Sequence, residues 1–241
     1  MNTQPQTALV VSAHSADFVW RAGGAIALYG SRGWDVHIVC LSFGERGESA
    51  KLWRQPGMDM VTVKQAREQE ARQAAEILGV RNIKFMDVGD YPMRIKDDVL
   101  FALADIYREI KPEFVLTHSL KDPYNFDHPL ATHIAQEARI VAQAHGHNPE
   151  KPVIGAPPVF LFEPHQPEQC EWKPEVLLDI SEVWQTKRQA MESMAAQEHL
   201  WEYYTRVALQ RGVQASRNSN LKIKHAEGYQ RIFPQVTGQF Y

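Results

Sequence analysis

Cysteine is scarce in this chain: of 241 residues only Cys40 and Cys170 carry a thiol. At most one disulfide could form, so no cross-linked scaffold is available, and a zinc centre built on several thiolates is excluded. Cys40 lies inside an apolar run and reads as a buried thiol. Long apolar runs are also lacking, and none approaches the ~18 residues of a membrane span. The start, MNTQPQT, has neither the basic residues nor the apolar stretch of a secretory signal, so a cytoplasmic protein is expected. Charge of one sign is not in excess. The formal net charge of −3 gives no basis for a general affinity for nucleic acid or for an anionic membrane. Any cation that matters must therefore act locally. Internal repeats, low-complexity segments and linkers are absent as well.

What is present is ordinary for a globular protein, with 44% apolar and 23% charged residues. The length suits one large domain with a well-buried core. The first half alternates strand and helix signals. ALVVSA (8–13) is a short β-branched run, and the helical segment after it ends at Gly33, which fits a C-terminal cap. DVHIVCLS is a second strand. The loop FGERGESAKLWRQPG leads into a long amphipathic helix, VTVKQAREQEARQAAEILG. NIKFMDV and EFVLTH read as strands flanking the helix DDVLFALADIYREIKP. Pro129 stands in the first turn of the next helix, where proline is tolerated. PVFLFEP and EVLLDIS are further strands, and two helices follow, SEVWQTKRQAMESMAAQ and WEYYTRVALQRG. Repeated β-α-β units predict an α/β fold: a Rossmann-like, mostly parallel sheet with helices on both faces, in a single domain over 1–241. Residues 214–241 lack clear periodicity and are expected to form a C-terminal extension. Its aromatics, Tyr229, Phe233, Phe240 and Tyr241, need cover from the body or from another subunit, which points to a homo-oligomer.

Open parallel sheets bind ligands beyond the carboxyl ends of their strands, where strand order reverses. Those ends carry an unusual set of polar residues here. His14-Ser15-Ala16-Asp17 follows the first strand, and Gly44-Glu45-Arg46-Gly47-Glu48-Ser49 follows the second. His118 and then Asp122-Pro123-Tyr124-Asn125-Phe126-Asp127-His128 follow the fourth, and Glu163-Pro164-His165 the fifth. Taken singly, each signal is weak: a histidine at a strand end is commonly a hydrogen-bonding residue, and Asp17 would equally serve as a helix cap. Together, two imidazoles and a carboxylate from neighbouring loops, His14, Asp17 and His128, suit Zn²⁺, which takes N and O donors and leaves a position open in catalytic sites. Asp127, beside His128, is placed to orient an imidazole.

These residues resemble the PIG-L/LmbE-like superfamily of zinc-dependent de-N-acetylases. The family's first loop reads Ala-His-Pro-Asp-Asp-Glu, and this chain has Ala13-His14-Ser15-Ala16-Asp17-Phe18, followed by the matching Gly23-Gly24. The later His-Pro-Asp-His loop of the family corresponds to Asn125-Phe126-Asp127-His128. The resemblance is close over about the first three-fifths of the chain and implies one zinc ion, held by His14, Asp17 and His128. Three departures stand out. The family's general base is replaced by Ala16, which cannot accept a proton, the following Glu by Phe18, and the first His of the second motif by Asn125.

One branch of the superfamily fits this pattern better. The run from His14 to Gly24 resembles the 4-oxalomesaconate hydratases of gallate catabolism. That resemblance implies addition of water to the C=C of 4-oxalomesaconate, giving 4-carboxy-4-hydroxy-2-oxoadipate, with Glu48 and His165 as the acid/base pair. Hydration of a conjugated alkene needs a group that takes a proton from water, a group that gives one to carbon, and an electron sink. Either of the two could be the base; His165 as acid and Glu48 as base is the assignment to test. The substrate is a small tricarboxylate, so cations should line its pocket. Arg21, Arg46, Arg54 and Lys121 lie on or beside the right loops, and Tyr124 could line the same space. Two alternatives remain open from the sequence: a zinc de-N-acetylase with a relocated base, and a non-catalytic binding protein that kept its metal.

Overall fold

The computed structural model describes residues 5–238. Seven strands form one sheet: β1 (Thr7–Ser12), β2 (Asp35–Cys40), β3 (Asn82–Phe85), β4 (Phe114–Thr117), β5 (Val159–Phe162), β6 (Val176–Asp179) and β7 (Ala226–Arg231). Their spatial order is β3-β2-β1-β4-β5-β7-β6. β1 to β5 run parallel, while β7 is antiparallel to both of its neighbours. The helices are α1 (Asp17–Ser31), α2 (Ala50–Trp53), α3 (Met60–Ile77), α4 (Asp97–Ile110), α5 (Asp127–Gln143), α6 (Trp184–Glu192) and α7 (Trp201–Arg217). α1, α3, α6 and α7 pack on one face of the sheet, and α4 and α5 on the other. No helix among the described residues is long and apolar enough to cross a membrane.

Local signals account for most of these elements. β1 is buried on both faces, as a central parallel strand must be, and its residues are accordingly apolar (Ala8, Leu9, Val10, Val11). α1 ends as the sequence predicts. Gly33 takes φ +82°, and its N–H donates to the Gly30 carbonyl at 3.0 Å, closing the last turn. α3 opens at Asp59, whose carboxylate accepts from the Thr62 N–H at 2.8 Å. The chain runs outward from β1 to β2 and β3 on one side, then returns to β4 and β5 on the other. Strand order therefore reverses at the β1–β4 boundary, which places a crevice beyond the ends of these two strands.

The C-terminal stretch departs from expectation. Instead of forming an extension laid on the body, residues 226–231 insert as β7 between β5 and β6. Its composition, AEGYQR, hides a strand because its inward positions are not simple hydrocarbons. Glu227 is buried and accepts hydrogen bonds from the Gly24 and Ala25 N–H groups of α1 (2.7 and 2.8 Å), from Lys187 Nζ (2.6 Å) and from the Tyr229 hydroxyl (2.7 Å). The Tyr229 ring is therefore covered by the chain's own core, so it gives no argument for a partner subunit. Phe233 has the Arg139 guanidinium 4.7 Å above its ring, while Phe240 and Tyr241 lie outside the described residues. α7 also continues past Gly212. That glycine gives passage to the backbone at Lys224, which a Cβ would meet at 2.2 Å. Gly24 has a similar role, since a Cβ there would fall 2.7 Å from Ile180 and 2.8 Å from Glu227.

Because Lys187 and Glu227 are both nearly inaccessible to solvent, removing one partner strands a charge. Glu227→Ala should lower the unfolding free energy by about 3–5 kcal/mol, read by urea denaturation. A change below about 1 kcal/mol would contradict the role given to β7 in closing the fold.

Candidate active site

At the end of β1 the chain turns sharply into α1, and the turn buries His14 completely. Asp17 is the first residue of the helix. Its Oδ2 accepts from the His14 N–H at 2.9 Å and lies 3.1 Å from His14 Nδ1. The capping position is Ala16, with no side-chain bond to the free helix N–H groups, so the Asp17 carboxylate is not engaged as a cap. At the end of β4, His118 Nε2 accepts from the Ala13 N–H at 2.9 Å and ties the two strand ends together.

The first turn of α5 supplies the second imidazole, His128, and the loop before it sets its orientation. Asp122 folds that loop by accepting from the Tyr124 and Asn125 N–H groups (3.0 and 3.2 Å). Its other oxygen stands 2.8 Å from His128 Nδ1. Asn125 Oδ1 in turn accepts from the Asp127 N–H at 3.1 Å. Asp127 does orient an imidazole, though it is that of His14, with Oδ2 3.2 Å from Nε2. The Tyr91 and Met93 N–H groups hold Asp127 in place (3.1 and 3.0 Å). Each of the two imidazoles thus has one ring nitrogen set by a carboxylate outside the site, while the other nitrogen faces inward.

Glu48 completes the group. Gly44 (φ +68°) turns the loop after β2, and Gly47 lets it pass under Tyr91, whose ring a Cβ would meet at 1.9 Å. Glu48 Oε1 comes to 3.1 Å from His14 Nδ1. One donor atom each from His14, Asp17, Glu48 and His128 lies within 4.8 Å of the others. Two buried atoms here, His128 Nε2 and Glu48 Oε2, have no hydrogen-bond partner. Unpaired buried polar atoms on converging N and O donors are what a metal site requires. The residues form a His/Asp/Glu cluster able to hold a metal ion.

The electrostatics agree. Burial alone disfavours a charged His14, yet Glu48, Asp127 and Asp17 outweigh it and raise the imidazole pKa well above the usual histidine range. Positive charge, whether a proton or a metal ion, is therefore favoured at this point. Burial likewise opposes ionisation of Asp17, but His118 and His128 keep its carboxyl low. The carboxylates outnumber the cations in a water-poor pocket, and a divalent ion would redress that imbalance. His118 moves the other way: burial, then His128 stacked on it at 4.2 Å, push its pKa well below the usual histidine range.

A cavity of about 730 Å³ opens over the cluster, lined among others by Glu48, His128, Asn125, Tyr124, Arg54 and His165. His165 sits at its rim with one edge exposed and the other toward the rings of Tyr203 and Tyr204, at 5.3 and 5.6 Å. Arg54 reaches the cavity with no side-chain partner among the described residues. Arg21 is buried behind the site, 3.4 Å from Asp17 Oδ1, and donates to the Glu163 carbonyl at 3.0 Å. Two expected cations are not brought in. Arg46 turns to Asp90, its guanidinium donating to the carbonyl at 2.6 Å, and Lys121 pairs with Glu171 on the surface. Sequence reasoning assigned no role to Asp122, although an Asp six residues before a ligand-type histidine, at a turn before Pro, was a usable signal. Tyr91 and Gln197, which also line the cavity, carried none.

Residues 9–139 match the family model of PIG-L, described as GlcNAc-PI de-N-acetylase. The chain belongs to the PIG-L family. It is 65% identical to the 4-oxalmesaconate hydratase of Pseudomonas putida, over 98% of this chain and 93% of that protein. The crystal structure of GalB, the 4-carboxy-2-hydroxymuconate hydratase of P. putida, superposes with a TM-score of 0.96 at 64% identity, covering 98% of this chain and all of that one. A diacetylchitobiose deacetylase of Thermococcus kodakarensis is 27% identical, over 81% of this chain and 72% of that protein. Ala16, which lies between His14 and Asp17 in the sequence, is fully buried.

If the cluster holds a metal, the carboxylate behind His128 matters almost as much as the ligand. Asp122→Ala should weaken metal affinity by roughly 10- to 100-fold, measured by competition against a chelator. An unchanged affinity would remove Asp122 from the site.

Proposed function

We infer that this chain is a hydro-lyase that adds water to the C=C of 4-oxalomesaconate to give 4-carboxy-4-hydroxy-2-oxoadipate, a step of gallate breakdown. The observation that carries this reading is the 65% identity to a 4-oxalmesaconate hydratase along nearly the whole chain. The site supports it independently, because the position where a deacetylase keeps its base holds the buried, inert Ala16, while Glu48 and His165 remain at the cavity.

The reaction forms one C–O and one C–H bond and breaks the C=C π bond and one O–H bond of water. His14, Asp17 and His128 would hold the metal, with Glu48 in reach of the same point. Zn²⁺, one per chain, is the ion we propose from the N and O donors, though the same set accepts Fe²⁺, Co²⁺ or Mn²⁺. Once bound, the ion supplies Lewis acidity for the conjugated carbonyl. Burial raises the Glu48 carboxyl, but positive charge at the His14 position prevails and lowers it. A metal held there would supply that charge in place of the imidazolium proton, leaving Glu48 ionised and able to take the proton of the attacking water. Burial of the His165 ring, followed by Arg21 and His128, pushes that imidazole down to about 4. It is therefore neutral before substrate binds. A bound trianion offsets the Arg21 and His128 contributions and raises that pKa, so that His165 would take up a proton it can deliver to carbon. Arg54, which lines the cavity and has no side-chain partner among the described residues, is the cation we propose to meet a carboxylate, whereas Arg21 is buried behind Asp17 and outside the cavity lining. Tyr124 closes one side of the cavity. Exposed Leu120, Tyr124 and Phe126 on the loop before α5 support assembly into a homo-oligomer.

Incubation with 4-oxalomesaconate should yield a product heavier by one water, followed by mass spectrometry. Glu48→Gln and His165→Ala should each lower kcat by roughly 10²- to 10⁴-fold while retaining metal. Near-normal turnover in both variants would dismiss them as the acid/base pair. Release of acetate from an N-acetylated sugar by the wild-type protein, without hydration, would replace the hydratase reading with the deacetylase one.

A further inference from the structure

Between α6 and α7, the 195–200 segment leaves helical geometry at Gln197 (φ −126°, ψ 37°) and brings that residue into the wall of the catalytic cavity. Gln197 is 7% exposed, and its carbonyl oxygen is taken twice. Arg67 Nη2 donates to Oε1 at 3.0 Å, and Trp20 Nε1 donates at 3.3 Å. A side-chain amide has an accepting end and a donating end, and only the network around it decides which is which. With two donors on one atom, the amide cannot be flipped. Its NH₂ group must be the other end. No described protein group accepts from Nε2, yet Nε2 is not among the sealed, unpartnered atoms of the interior. With no acceptor in the described protein and some exposed surface, its free direction is the cavity that the residue lines.

The support for this amide is rigid. Arg67 has no exposed surface; its Nη1 bonds Glu70 at 2.6 Å, and its Nε donates to the Phe43 carbonyl at 3.4 Å, at the root of the loop that carries Glu48. The other Glu70 oxygen accepts from the Ala196 N–H at 2.9 Å, fixing the backbone beside Gln197. The donor is thus positioned before any ligand arrives, and such preorganisation is worth most where a polar ligand must be desolvated.

We propose that Gln197 is a specificity-determining residue whose Nε2 donates a hydrogen bond to a carboxylate oxygen of the substrate. The identity of that substrate rests on the hydratase reading; the orientation of the donor does not. The competing role is purely structural, as a link between Arg67 and Trp20. Gln197→Glu separates the two. A carboxylate accepts from Arg67 and Trp20 as the amide oxygen does, but it has no N–H to offer and repels an anionic ligand.

The test uses metal-loaded wild-type and Gln197→Glu proteins, with turnover of 4-oxalomesaconate and calorimetric binding of the unreactive probe propane-1,2,3-tricarboxylate. KM and the probe Kd should both rise by roughly 10- to 100-fold, with a smaller change in kcat and an unaltered thermal midpoint. A folded variant with KM and probe Kd within about twofold of wild type overturns the proposal. Should the variant not fold, a crystal structure of the wild-type protein with the probe decides. A carboxylate oxygen within ~3 Å of Nε2 supports the assignment, and carboxylates placed only elsewhere overturn it. A wild-type protein that binds the probe through Gln197 yet hydrates nothing would sink the hydratase reading and leave this one standing.

Discussion

Three carboxylates, those of Asp17, Glu48 and Asp127, stand within 3.2 Å of one buried imidazole, His14, and the loops around it are arranged to keep them there. Isolated, such a concentration of negative charge away from water is costly. It persists because each carboxylate is held by backbone donors or facing cations, and because the strand order reverses at this point and leaves the strand ends open. The fold and the site are in this sense one problem. The ends of β1 and β4 deliver His14, Asp17 and His118, and the loop before α5 and its first turn deliver Asp122, Asp127 and His128. The loop after β2 swings Glu48 across the gap, with Gly47 clearing the ring of Tyr91.

A second layer of buried charge keeps that geometry in register with the rest of the molecule. Arg67 on α3 joins the base of the Glu48 loop to the cavity wall at Gln197. Lys187 on α6 and Glu227 on β7 clamp α1 from behind, with Lys187 bonding the Trp20 carbonyl and Glu227 the next turn. Both devices tie the C-terminal third of the chain to the N-terminal loop that begins the site. The last strand is thus part of the architecture that positions His14 and Asp17.

The parallel half of the fold was legible because buried strands such as ALVVSA and capped helices such as the one closing at Gly33 obey local rules. β7 was not, since its inward residues are a paired glutamate, a glycine and a tyrosine, a pattern that carries no alternation. Of the site, His14 and Asp17 after β1 and His128 beyond β4 were legible as ligand-type residues, and the reading of Ala16 as a missing base rested only on the family resemblance. The cations show the limit of reading by proximity in sequence. Arg46 lies two residues from Glu48 yet turns to Asp90, while Arg54, eight positions further on, reaches the cavity. Gln197 could not be found at all from its neighbours, because its orientation is set by Arg67 and Trp20, each more than a hundred residues away.

The central claim is that hydration depends on a metal held at this cluster. The most direct test strips the purified protein with a chelator and follows loss of the conjugated 4-oxalomesaconate chromophore in the ultraviolet, before and after adding back Zn²⁺ or another divalent ion. The expected result is no absorbance change in the stripped protein and restored turnover on metal addition, with restoration abolished in His128→Ala. Full activity in protein shown to be metal-free would contradict the account.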